Sequence, residues 1–352
     1  MVIQYKCPEC GSNMLFDAAS GKLKCESCDT KFEIENASFE GEIQTVEECK
    51  EEATYMDPGE VREYHCQNCG AVILCNPNTT ATKCSFCDSP VVLQDRLDGV
   101  LAPQLVLPFE INKETALTSF KEWCKKAVYS PLSFRQQLRI KELEGIYVPF
   151  WFYDIAGQGE VLMEGTISTT HREGNYEVTI TKHYDVYRRL DLRYNRIPED
   201  ASQRMDDHLM DLLEPFKNEK LTAFNNQYFA GYVAEKYDYT ADEMFDRAKK
   251  KVENFMDTYV KGTASQYSTV RIKNKAYQLT KTKVDYTMVP VWMMYIKQDD
   301  KDYTFAMNGQ TGKISGVPPV SVKVCLGKIG LYSVIIFILL RLITVLLGGP
   351  VL

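Results

Sequence analysis

The sequence predicts an α+β protein with two N-terminal four-cysteine zinc ribbons, a mixed body of antiparallel sheet and helices, and one C-terminal transmembrane helix. Three observations carry that reading. Eight of the twelve cysteines stand in four CxxC pairs near the N-terminus. The middle of the chain alternates helical periodicity with long β-branched and aromatic runs. The last 24 residues, Ile329 to Leu352, carry no charge except Arg341.

The cysteines come first. Cys7, Cys10, Cys25 and Cys28 recur in pattern as Cys66, Cys69, Cys84 and Cys87, with fourteen residues between the two pairs of each set. Two CxxC knuckles brought together by a hairpin offer a metal four tetrahedral thiolates without needing a large core, so each set is read as a ligand set for one structural Zn2+. Gly11 and Gly70 follow the second cysteine of a knuckle, where a tight turn aims backbone N–H groups at sulfur. Four protein ligands leave no open position for catalysis. A redox CxxC pair would want a thioredoxin-like context and disulfides an oxidising compartment, and the sequence displays neither. Cys49, Cys75, Cys124 and Cys325 have no spaced partners and read as small side chains, while His65 reads as a bystander beside a complete cysteine set.

The expected layout is ribbon 1 over 1–38, an acidic linker over 39–60, ribbon 2 over 61–95, the body over 96–320 and the membrane segment over 329–352. In the body, helices are expected near 114–127, 134–141, 201–213 and 241–261. Strands are expected over 146–155, 160–169 and 176–190, with turns at Gly157-Gln158-Gly159 and Gly174-Asn175. A second β region runs over 267–316, where Asn308-Gly309 offers the positive φ of a tight hairpin turn. Val148-Pro149-Phe150-Trp151 and Val289-Pro290-Val291-Trp292 share a phrase, which raises a duplicated α+β unit as an expectation.

The tail of 24 residues would be about 36 Å long as a helix, enough for a hydrocarbon core of about 30 Å. Arg341 costs about 2.5 to 3.5 kcal/mol on the insertion scale, whereas sixteen Leu, Ile, Val and Phe contribute on the order of −5 to −10 kcal/mol, so insertion wins. Lys323 and Lys328 precede the segment, so the positive-inside bias keeps the bulk of the chain cytosolic on a single-pass cell-membrane anchor. Arg341 would snorkel or face a partner, such as a carboxylate of another membrane subunit.

Charge and absent motifs narrow the function. Residues 1–60 hold fourteen Asp or Glu against five Lys, a balance that opposes nucleic acid. There is no GxxxxGK[ST], HExxH or GxSxG, and His171, His183 and His208 read as structural, so neither an enzyme nor a small-molecule substrate is expected.

Together, the paired ribbons, Val148-Pro149-Phe150-Trp151-Phe152-Tyr153-Asp154, Gly231-Tyr232-Val233-Ala234-Glu235-Lys236-Tyr237-Asp238 and Phe305-Ala306-Met307-Asn308-Gly309-Gln310-Thr311-Gly312-Lys313 resemble the bacterial TFIIB-type zinc-ribbon-containing proteins of the YdjG kind. The resemblance implies a membrane-attached cytosolic protein in a complex that senses or organises envelope stress. The leading expectation is a non-catalytic scaffold or adaptor that holds protein partners at the membrane. A nucleic-acid-binding or transcription-related ribbon protein, and an enzyme built in the α+β body, are the alternatives.

Overall fold

The structure is a computed structural model that describes residues 5–34, 103–136, 143–298 and 301–346, with the backbone of five short strands among residues 2–93. In chain order the strands of the N-terminal region are β1 (Val2–Ile3), β2 (Met14–Asp17), β3 (Lys22–Cys25), β4 (Lys31–Phe32), β5 (Arg62–His65), β6 (Val72–Cys75), β7 (Thr79–Lys83) and β8 (Pro90–Leu93). Then follow β9 (Leu105–Val106), α1 (Lys113–Lys126), α2 (Leu132–Arg135), β10 (Leu143–Glu173), β11 (Tyr176–Asp200), α3 (Asp207–Asp211), β12 (Thr222–Ala223) and β13 (Val233–Glu235). The chain continues through α4 (Ala241–Gly262), β14 (Thr269–Gln298), β15 (Lys301–Asn308), β16 (Ile314–Ser315) and α5 (Val322–Leu346). This is a mixed α+β fold. The linker expected over 39–60 and the cysteines of the second set lie outside the described residues.

The chain forms two compact units that are each discontinuous in sequence. The first comprises Met1–Pro108, Tyr147–Asp207 and Lys217–Pro290. Its frame is the long hairpin of β10 and β11, whose two-residue turn Gly174-Asn175 has Gly174 at φ 65°, the positive value that suits the twist of a hairpin. β14 runs along the other side of β10. Helix α4 is amphipathic, burying Met244, Ala248, Val252, Met256 and Val260 at four-residue intervals. It starts at a capping box in which Thr240 and Glu243 satisfy each other's backbone N–H groups.

The second unit comprises Phe109–Ile146, His208–Phe216 and Val291–Leu352. α1 buries Ala116, Phe120 and Cys124 at the same four-residue spacing. Phe305, on β15, is fully buried and packs against Trp123 at 5.2 Å and Phe134 at 5.8 Å between ring centroids.

Three local expectations are corrected. Gly157-Gln158-Gly159 is not a turn, because β10 runs straight through it. Those glycines make room for neighbouring side chains: a Cβ on Gly159 would lie 2.4 Å from Cδ1 of Tyr277, and one on Gly165 2.5 Å from Cγ of Tyr267. The helix expected over 201–213 shrinks to α3, because Ala201 N donates to the Pro149 carbonyl, its own carbonyl accepts from Asp238 and Tyr239, and Gln203 N donates to Asp238 Oδ2. After β15 the left-handed residue is Gly312, at φ 76°, not Asn308 or Gly309. Asn308 instead bonds outward from its side chain, which donates to the carbonyls of Leu213 and Pro215 and accepts from Gln310 and Thr311 N–H. The second helix of the body is α2, which starts directly after Pro131.

The repeated Val-Pro-x-Trp phrases occupy corresponding places. Each lies on a long strand preceded by helix, α1 and the short α2 before β10 and α4 before β14, and pairs with the next strand, Phe150 opposite Asp200 and Val291 opposite Asn308. Trp151 Nε1 donates to the Tyr239 carbonyl at 2.8 Å, one residue before the N-cap of α4. Trp292 Nε1 donates to the Ile111 carbonyl at 2.9 Å, one residue before the N-cap of α1.

Candidate metal centre

Cys7, Cys10, Cys25 and Cys28 converge, with all four sulfurs within 4.8 Å of one another. The local cause is a turn used twice. Cys7 N donates to the Ser12 carbonyl and Gly11 N to the Cys7 carbonyl, while Cys25 N donates to the Thr30 carbonyl and Asp29 N to the Cys25 carbonyl. In both copies the residue after the second cysteine is left-handed, Gly11 at φ 72° and Asp29 at φ 60°. Glycine reaches that conformation freely and aspartate tolerates it better than most residues. The hairpin of β2 and β3, with Met14 opposite Cys25, brings the two turns face to face.

Sulfur separations of 3.7 Å for Cys7 and Cys28, 3.4 Å for Cys10 and Cys25, and 3.6 Å for Cys10 and Cys28 exclude disulfides. Four thiolates held tetrahedrally about 2.3 Å from one metal would stand about 3.8 Å apart, so the donor set fits a metal ion. The electrostatics agree. The Ser12 N–H and hydroxyl pull the Cys10 thiol down to about 6, and the Thr30 hydroxyl and N–H lower Cys28. At Cys25 the N–H groups of Cys28 and Ser27 also favour thiolate, but burial and the neighbouring thiols Cys10 and Cys28 outweigh them and push it up to about 11. Cys10 and Cys28 thus favour the thiolate, and a cation at the centre would remove the mutual repulsion that opposes ionisation of Cys25.

Cys66, Cys69, Cys84 and Cys87 lie outside the described residues, but the strands around them repeat the register of the first set. Cα pairing closes at Lys6 with Asn13 and at Lys24 with Lys31, enclosing 7–12 and 25–30. It closes in the same way at His65 with Val72 and at Lys83 with Pro90, enclosing 66–71 and 84–89. Each enclosed stretch is six residues long and opens on a CxxC.

The body positions this head. Phe16 N donates to the Ala230 carbonyl at 2.9 Å, and the Phe16 ring meets Tyr228 at 5.2 Å and Tyr232 at 6.4 Å. Leu15 lies over Gly231, where a Cβ would come within 2.9 Å of its Cδ2 and where φ is 91°. Immediately after, β13 pairs with β7, Ala234 opposite Ala81. The stretch from Tyr228 to Glu235 is therefore the strip on which β2 and β7 rest, β2 against Tyr228–Tyr232 and β7 against β13. Sequence reasoning passed over that role, and it passed over Asp29 and its counterpart Asp88, whose shared place after a second cysteine was the available signal.

Convergent carboxylates also occur away from the cysteines. Glu199 and Asp200 are buried, and Arg247 lies 3.3 Å from Glu199 and 3.5 Å from Asp200, with Lys251 3.1 Å from Glu199. Asp207 completes the group 2.9 Å from Arg247. These ion pairs tie α4 to the end of β11. Two grooves among the described residues, of about 540 and 320 Å³, are lined by other residues, around Asp257 to Lys275 and Gln158 to Gln278.

Near the C-terminal end of the sequence, α5 is long and apolar enough to cross a membrane. Every side chain from Ile329 to Leu340 is exposed. An exposed apolar stretch of that length has the composition that a bilayer, rather than water, accommodates.

A four-cysteine cluster able to hold a metal, an α+β body and a C-terminal helix of membrane-spanning length and composition together define the class: an α+β protein with a candidate metal centre and a candidate membrane span. More specifically, the chain belongs to the YdjG family, being 41% identical over 353 residues, covering 99% of each chain, to the uncharacterised protein YdjG of Bacillus subtilis (strain 168). No family model matches the chain and no solved structure matches it.

Proposed function

We propose that this chain is a non-catalytic, zinc-binding scaffold or adaptor, anchored by α5, which holds protein partners at the cytosolic face of the cell membrane. The observation that carries the reading is the pairing of a four-sulfur cluster, which would leave a metal no open position for substrate, with an apolar helix exposed from Ile329 to Leu340 near the far end of the sequence. Zinc is the metal of choice for four thiolates in tetrahedral array with no redox demand. The matched strand register supports a second zinc at Cys66, Cys69, Cys84 and Cys87 and supports the reading of both segments as ribbons of the TFIIB type. The crossed tryptophan bonds support a duplicated unit in the body, each repeat's strand reaching the helix start of the other. The cytosolic assignment rests on Lys323 and Lys328 ahead of the apolar segment. The role in envelope stress follows from the resemblance, and the absence of catalysis is supported by the way the buried carboxylates are engaged with Arg247 and Lys251.

The test is affinity purification from detergent-solubilised membranes, with the full chain and with a chain ending before Ile329. A membrane-fraction protein with a partner set that the shortened chain loses is the expected result. A full chain found in the soluble fraction, or one with the same partners after shortening, contradicts the proposal.

A further inference from the structure

The second unit carries a patch whose chemistry matches the surface that α5 would enter. The turn joining α1 to α2 leaves Val128, Tyr129 and Leu132 40%, 50% and 60% exposed, although each is an apolar or aromatic side chain that a water-facing turn has no reason to hold. This turn meets the root of α5. Ser321 N donates to the Tyr129 carbonyl at 2.9 Å, and Lys328 Nζ stands 4.9 Å from the centroid of the Tyr129 ring. Val317, Val320 and Val322, just ahead of and at the start of α5, are also exposed.

The charges point the same way. Segments 123–136 and 314–328 contain Lys125, Lys126, Arg135, Lys323 and Lys328 but no Asp or Glu, in a chain whose net charge is −7. Lys125, Lys126 and Lys323 are exposed. An apolar tip with one tyrosine, ringed by lysines and placed at the base of an apolar helix, combines the features that hold a segment in the interfacial layer. Tyrosine favours the headgroup level, apolar side chains enter the acyl boundary, and basic side chains are drawn to anionic lipid.

We propose that the α1–α2 turn is a membrane foot, lying in the headgroup layer of an anionic bilayer with Leu132 and Val128 dipped into the acyl boundary, and that it fixes how the second unit stands on its anchor. The inference rests on the reading of α5 as a membrane span. Continuity decides the occupant: Tyr129 is bonded to the residue that precedes α5 and touches Lys328 within it, so a bilayer entered at Ile329 meets this turn first.

The experiment uses the full chain reconstituted into bilayers of phosphatidylcholine and phosphatidylglycerol in which bromines sit either near the glycerol end or deep in the acyl chains. Leu132→Trp and Leu339→Trp are each compared with the unsubstituted chain, whose three tryptophans supply the background. Emission added by Leu132→Trp should drop at least about twofold with shallow bromines, and that added by Leu339→Trp should drop with deep ones. Replacing Lys125 and Lys126 by Glu should weaken the shallow quenching. If Leu339→Trp is quenched and Leu132→Trp is not, the foot is wrong while the anchor stands. If neither is quenched, the anchor has failed and the foot with it. Leu132→Trp shielded from both bromines and aqueous iodide would show that protein covers the turn, a second copy or another chain, and would overturn the proposal.

Discussion

The cysteine head and the body behind it are held together by different physics. Within residues 5–34 the buried apolar side chains other than cysteine are Met14, Phe16, Ala18 and Leu23. Four side chains cannot offset the backbone entropy of some thirty residues, so the head depends on whatever its sulfurs bind. The first unit's body buries Tyr147, Phe150, Trp151, Phe152, Tyr153 and Phe229 to within 2% of full burial and needs no metal to do so. One chain thus carries a region with four converging sulfurs and little apolar core of its own beside a region whose order is set by apolar burial.

The largest separation of the two should follow loss of one ligand. Cys25→Ser removes a share of the roughly 10–16 kcal/mol by which a structural zinc stabilises such a site. Hydrogen exchange should then show residues 5–34 losing protection while α4 and the β10–β11 hairpin keep theirs. Equal loss in both regions would show that the head is a cornerstone of the body rather than a passenger on it.

The converse change attacks the body. Phe150→Ala should cost about 3–5 kcal/mol, since Phe150 is only 1% exposed and its removal leaves a cavity in a close-packed sheet. Denaturant unfolding followed by tyrosine and tryptophan emission should record that loss, and metal content at pH 7 in the folded fraction should stay the same. A matching fall in metal content would tie the two regions into one cooperative unit.

A smaller effect distinguishes their responses to acid. Glu243 accepts the backbone N–H and the hydroxyl of Thr240 at the start of α4, which holds its carboxyl below the usual range. A carboxyl depressed by folding contributes stability that is present above its unfolded value, near 4.3, and disappears as pH falls through the folded value. Thr240→Ala should therefore cost about 1 kcal/mol at neutral pH and progressively less below about pH 4. Thermal unfolding of the pair of proteins across that range checks it. The head should fail at higher pH than α4, because protons compete with metal for thiolates from the first step of acidification.

The sequence was most readable where the chemistry is local. A CxxC turn, a four-residue buried stripe on α1 or α4, and an apolar run of helix length each state their own structure within a few residues. It was misread where the cause lies far along the chain. Gly157 and Gly159 look like a turn in sequence, and only the ring of Tyr277 and the side chain of Leu279, on β14, explain them as positions in a continuous strand. The helix expected over 201–213 failed for a similar reason, since Ala201 answers to Pro149 and to Asp238 and Tyr239 rather than to its own neighbours. Of the candidate site, the ligand set, its spacing and the Asp that follows a second cysteine at 29 and 88 could be read directly, whereas the strip at Tyr228–Tyr232 that seats the head shows only in the bond of Phe16 N to the Ala230 carbonyl and in the ring contacts of Phe16.

The proposed organiser of the head is sulfur-bound zinc, and its stoichiometry is open to metal analysis of the full chain, purified under reducing conditions from solubilised membranes. Two zinc ions per chain are expected, falling to one in Cys25→Ser. Zinc below one ion per chain in the intact protein, or an undiminished count after Cys25→Ser, would contradict it.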